Sequence, residues 1–485
     1  MRNYLKLLSF LLMVLFGLAD SSVSAKILLP QILSSNMVLQ RDKPISIWGF
    51  ANPGEKVSVS FAKQTKTTVA NSAGNWEVIL KPLKTSSKPQ SMFIIGSNQI
   101  ELKDILVGEV WLCSGQSNME YAMRKLVKIP KPLNQKLGFP QNEVVKATNS
   151  NVRIFLVNRK TLSKPDSIHN SWSIAQDSAL RAFSVVGYFY AKELQEKLGI
   201  PIGIIESAVS GSAIEPWIAK SALEEEPYFN NQKISNDPGK FFTPMIEPLA
   251  KFKIRGFLWY QGETNCFLNE NISYAYKMKT LISLWRKIWK EETAPFYYVQ
   301  IAPYNYSKHS GKIPLNENTQ PEFWEAQAQL LRLPNTGMVV TTDLNDDGED
   351  LHPTYKWEVG RRLSLWALAK TYGKKIEYTG PLILGQSDRD STIIIQFNKA
   401  STLKNQNGDG VLMGFEIAGA DGKFYPAHAK IIANTVMLKS PSVPRPVEAR
   451  YNWSESPKGT LYSKTGLPAL PFRTSNPLTA QFKTN

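Results

Sequence analysis

The 485-residue sequence holds only two cysteines, Cys113 and Cys266, and four histidines set singly at positions 169, 309, 352 and 428. So few thiols exclude a disulfide-built scaffold, and scattered His and Cys give no zinc-ligand spacing. One bridge is the most two thiols allow, and separation in sequence does not give the Cα distance that a bridge demands. Beyond the N-terminus no apolar run approaches the ~18 residues that mark a membrane span. Internal repeats and low-complexity tracts are absent, and 29 Gly with 30 Pro is the ordinary globular level. Acidic side chains are the scarcer sign, 41 against 57 Lys+Arg, for a net charge of +16. That excess suits an anionic partner, but the lysines form neither a tail nor a stripe, so no nucleic acid partner is expected.

Arg2 and Lys6 precede and enter an apolar N-terminal stretch, at its most continuous over 7–19, and Val23-Ser24-Ala25 supplies the small residues a signal peptidase reads. At about 13 residues the stretch is short of the ~20 that cross a bilayer. Residues 1–25 are therefore expected to be a cleavable signal peptide, and the mature chain to be secreted or periplasmic with no membrane attachment. Cleavage removes Arg2, Lys6 and Asp20, which lowers the net charge by one.

From 26 to 104 the pattern is short and period-two, with runs at 45–50, 56–61, 65–70, 75–80 and 92–96 separated by turn residues such as Asn52-Pro53-Gly54. That spacing predicts an N-terminal β-sandwich domain. Over 105–375 the rhythm changes to continuous apolar runs at 105–113, 151–157, 201–207, 254–260, 295–302 and 337–343. Helical stretches at 183–198, 272–290, 323–331 and 355–372 alternate with them. Such alternation predicts an α/β domain with a parallel sheet covered on both faces, and ligands at the carboxyl ends of its strands. From 376 to 485 β-type runs return, as expected of a C-terminal β-rich module packed on the core. The segment 121–150 is too long for a simple connection and reads as a lid or substrate loop.

Chemistry-bearing residues gather just after the apolar runs. Ser117 follows the first, in Ser114-Gly115-Gln116-Ser117-Asn118-Met119, where a strand-to-helix turn presents a nucleophile beside free backbone amides. Met119 stands where the α/β-hydrolase elbow requires glycine. After the last run come Asp350-Leu351-His352-Pro353; two residues apart in an extended loop, Asp350 and His352 share a side, where a carboxylate can hold an imidazole. The same loop begins Asp343-x-Asn345-x-Asp347-Gly348, half of a calcium loop, but Thr354 occupies the position of its bidentate Glu. Trp259-Tyr260-Gln261-Gly262-Glu263-Thr264-Asn265 offers side-chain amides, and Ser210-Gly211-Ser212 a glycine amide open to a ligand. A nucleophile, a base with its acid, and amide donors on four strand ends point to acyl transfer.

The Gly-Gln-Ser-Asn-Met turn, the Trp-Tyr-Gln-Gly-Glu-x-Asn block and the Asp-x-His-Pro block, in this order, resemble the SGNH (GDSL-like) hydrolase superfamily, and within it the sialate O-acetylesterase family. Met37-Val38-Leu39-Gln40-Arg41, Asn52-Pro53-Gly54-Glu55 and the C-terminal 466–473 extend the resemblance over nearly the whole mature chain. It implies an SGNH-type three-layer α/β/α core with no cofactor or metal, and an O-acetylated sugar as substrate. It implies Ser117 as nucleophile, His352 as general base and Asp350 as its partner. The oxyanion hole would comprise the Ser117 and Gly211 amides with the side chain of Gln261, or else Asn265. Here the glycine block reads Val209-Ser210-Gly211-Ser212, where relatives have Trp-Gly-Gly-Thr/Ser, and Glu349 occupies the acid position of many SGNH enzymes. The family also resembles acetylesterases of plant polysaccharides. A non-catalytic carbohydrate-binding protein is the remaining class, and intact Ser117, Asp350 and His352 argue against it.

Overall fold

The computed structural model describes residues 26–129, 131–157, 171–398, 402–408 and 410–484. The expected signal peptide and His169 lie outside these residues. A central sheet organises the chain. Its strands are β1 (Gln99–Gly115), β2 (Val152–Leu156), β3 (Ser173–Ile174), β4 (Ile202–Ala208), β5 (Gly256–Tyr260), β6 (Phe296–Val299) and β7 (Thr336–Val339), in the order β7-β6-β5-β1-β4-β2-β3. Every pairing is parallel except that of the two-residue β3, which runs antiparallel to β2. The result is a mixed α/β core built on a largely parallel sheet.

Residues alternate faces along a strand, and β1 shows why its run is apolar throughout. Val110 and Leu112 enter one hydrophobic cluster while Trp111 and Cys113 enter another, all at 0% exposure. Helix α3 (Ile272–Trp289) contributes Met278, Leu281 and Trp285 to the first face; α2 (Val185–Leu198) and α4 (Lys356–Trp366) cover the second. Both cysteines are buried and free. Among the described residues no helix is long and apolar enough to cross a membrane.

The period-two runs at 45–50, 56–61 and 75–80 are strands that alternate between buried and more exposed positions. The first and third pair with each other, and the second pairs with Gln64–Val69 and Ser86–Ile95. Ser86–Ile95 in turn pairs with β1. Strand β1 thus serves the N-terminal sheet with its first half and the core with its second, and the expected boundary at 104/105 falls inside it. Beyond 376 the chain is β-rich, with two four-stranded antiparallel sheets around a separate hydrophobic cluster. A bidentate pair from Arg473 to Glu325, both bonds 2.9 Å, fastens this region to the core.

Candidate active site

At its carboxyl end β1 meets β5 so closely that a Cβ on Gly115 would lie 2.0 Å from the Tyr260 carbonyl oxygen. Gly115 also takes φ 142°, open to glycine and rarely to other residues. The chain turns there into the short helix α1 (Ser117–Glu120), which presents Ser117 half-buried at its first position. Gln116 fixes the turn, its side-chain oxygen accepting the Gly262 and Thr264 amides at 3.3 and 3.4 Å.

The segment after β7 brings His352 to this turn, with Nε2 2.8 Å from Ser117 Oγ. At that distance an imidazole can accept the serine proton. Burial pushes the His352 pKa below its ordinary value, Lys356 and Lys125 push the same way, and Asp350 opposes them. The imidazole therefore stays neutral, as a base must, to a lower pH than an exposed histidine.

Asp350 reaches the site without the bond expected of it. Its Oδ1 accepts the backbone N–H of His352 at 2.7 Å, and among the described residues no hydrogen bond reaches His352 Nδ1. Two residues apart, an Asp closes more readily on a backbone amide ahead of it than on a ring beyond that amide. Glu349 is turned away, exposed, and held by Asn305 and Lys308. The calcium-like start of the loop is also occupied by protein groups: Arg362 clamps Asp343 at 2.7 and 2.8 Å, and Asn345 donates to Pro303 and Asp350 carbonyls. No group of three or more His, Cys, Asp or Glu among the described residues is placed to hold a metal.

The amide donors separate into two kinds. Ser117 and Gly211 have backbone N–H groups with no protein acceptor among the described residues. Gly211 lies exposed at φ 73° beyond β4, next to Ser210, whose amide is held by Glu120 of α1 at 2.7 Å. Gln261 and Asn265 do not fit the expected oxyanion role. Gln261 Nε2 donates to Ser212 O at 3.1 Å and to Asn265 Oδ1 at 2.7 Å. Asn265 Nδ2 donates to Glu215 at 3.2 Å and Glu270 at 3.1 Å. Their N–H groups are spent on internal acceptors, and both side chains are fully buried.

Three residues that sequence reasoning left without a role complete the cluster. Asn118 and Glu263, both inside the quoted motifs, are hydrogen-bonded to each other. Lys356 is 1% exposed at the start of α4, where no sequence pattern marks it. The 121–150 segment reaches the same loop: the Leu133 amide donates to Asp346 and the Asn134 amide to Tyr355 Oη.

Similarity to known proteins follows the same architecture. A solved carbohydrate acetylesterase from Xanthomonas citri is 34% identical, with a TM-score of 0.81 over 93% of this chain and 99% of its own. Sialate O-acetylesterase of Rattus norvegicus is 28% identical over 72% of this chain and 74% of the relative. That of Homo sapiens is 28% identical over 75% of each. Residues 107–368, from β1 to beyond α4, match the family described as carbohydrate esterase, sialic acid-specific acetylesterase, and the chain belongs to that family.

Proposed function

We propose that this chain removes O-acetyl groups from sugars through an acyl-enzyme on Ser117. The observation that carries the reading is the 2.8 Å contact between Ser117 Oγ and His352 Nε2 at the carboxyl ends of β1 and β7. His352 takes the Ser117 proton as Oγ attacks the acetyl carbonyl carbon, and the oxyanion forms against the Ser117 and Gly211 amides. The C–O bond to the sugar breaks, and the sugar oxygen leaves with the proton held by His352. Water then gives a proton to His352 and attacks the acetyl carbon, releasing acetate and restoring Ser117. Each step uses only this chain's residues and water.

Acetylated sialic acid is the leading substrate, supported by the family description and the mammalian relatives. A plant polysaccharide such as acetylated xylan is the second reading, favoured by the greater similarity to a relative named for carbohydrate rather than sialic acid. The apolar leader over 7–19 supports export.

Acetate release from 9-O-acetylated sialic acid and from acetylated xylan, by wild type and Ser117→Ala, tests the proposal. Wild type releases acetate from the sialic acid, and the variant loses at least about 10³-fold. Activity kept in the variant overturns the nucleophile, and release from xylan alone selects the second reading.

A further inference from the structure

The carbonyls of the two residues that flank His352 are both held by buried side chains. Asn118, next to the nucleophile, donates from Nδ2 to Leu351 O at 3.1 Å and to Glu263 Oε1. Lys356 donates from Nζ to Pro353 O. Its ammonium lies 5.3 Å from the centre of the Tyr121 ring and 5.9 Å from that of Tyr260. Asn118 and Lys356 are 0% and 1% exposed. A lysine is almost never buried to this degree without a partner, and burial pulls this one down to about 7, against the pull of Asp350 and Glu263.

We infer that Asn118 and Lys356 are positioning residues, which set the His352 imidazole against Ser117 by gripping the carbonyls of Leu351 and Pro353, the residues on either side of it. The inference rests on the acyl-enzyme reading above. Since no protein group holds Nδ1 among the described residues, the ring takes its place from its backbone. The Asn118 bond joins the base-bearing loop to the nucleophile's own turn, so the two move together. Lys356 joins the other side of that loop to α4. Glu263, fully buried, holds the remaining Asn118 hydrogen and so fixes the amide's direction.

A role in folding alone would leave the chemistry of folded molecules unchanged, whereas displacement of a base by about 1 Å costs roughly a hundredfold. The charged groups that act on His352 are Lys356, Lys125 and Asp350. Removing the Lys356 charge makes His352 easier to protonate, so the acid limb of activity moves to higher pH; removing Asn118, which is neutral, leaves the limb in place.

The test uses the mature protein with Asn118→Ala and Lys356→Met, 4-nitrophenyl acetate for kcat and KM, and a fluorophosphonate that labels Ser117, read by mass spectrometry. Each variant is expected to lose roughly a hundredfold in kcat and in labelling rate with KM changed a few-fold, and only Lys356→Met to move the acid limb. If either fails to fold, Asn118→Ser, too short to span both acceptors, and Lys356→Gln are read in its place. Folded variants with wild-type labelling and kcat, beside an inactive Ser117→Ala, overturn the positioning role alone. An active Ser117→Ala overturns the acyl-enzyme reading beneath it.

Discussion

Two buried polar clusters sit side by side beyond the central sheet, and they differ in what they leave unused. Around Gln261 and Asn265 the donors are matched: Asn265 Oδ1 accepts Ile214 N and Gln261 Nε2, and Lys277 bridges Glu215 and Glu270 at 2.8 and 2.6 Å. Around Ser117 and His352, among the described residues, the Ser117 and Gly211 amides have no protein acceptor and the buried oxygens Asn118 Oδ1 and Glu263 Oε2 have no partner. A satisfied buried network fixes a structure. An unsatisfied one costs stability, and such costs gather where chemistry is done. The matched bonds mark the first cluster as scaffold, although its sequence block looked catalytic; the second is the candidate site.

The contrast breaks most visibly with His352→Ala. Loss of at least about 10³-fold in 4-nitrophenyl acetate hydrolysis is expected, with an unchanged thermal midpoint. Asn265→Ala is expected to do the reverse. It strips hydrogen bonds from the buried Glu215 and part-buried Glu270 carboxylates, the Gln261 amide and the Ile214 N–H, at a cost of about 3 kcal/mol in denaturant unfolding. Its kcat per folded molecule should stay within a few-fold. A collapse of kcat in stable Asn265→Ala would return that side chain to the oxyanion hole.

Much of this contrast was hidden from the sequence for definite reasons. The strands were legible because each carries a periodic or continuous apolar pattern, and Ser117 and His352 because they follow apolar runs by four and nine residues. What occupies Gln261 and Asn265 was not, since Glu215 and Tyr274 arrive from other elements. Lys356 gave no signal because nothing local in 353–359 records that Tyr121 and Tyr260 will enclose it. The length of β1 was underestimated, because its first half alternates like an exposed-edged strand while the second is buried on both faces.

Asp350 gives the smallest effect and the finest test, because charge and hydrogen bonding there predict different things. As holder of the ring tautomer, its loss would cost on the order of 10⁴-fold. Its carboxylate instead accepts the His352 backbone amide, so Asp350→Ala should lower kcat only about tenfold, the cost of roughly one charge-assisted hydrogen bond. The pH profile carries the sign. Asp350 favours protonated His352, so without it the pKa falls further and the acid limb of kcat/KM moves to lower pH, opposite to the shift in Lys356→Met. A loss near 10⁴-fold would restore the carboxylate to the imidazole and make the site a triad, whereas a limb that moves upward would show that Asp350 does not act on His352 through its charge.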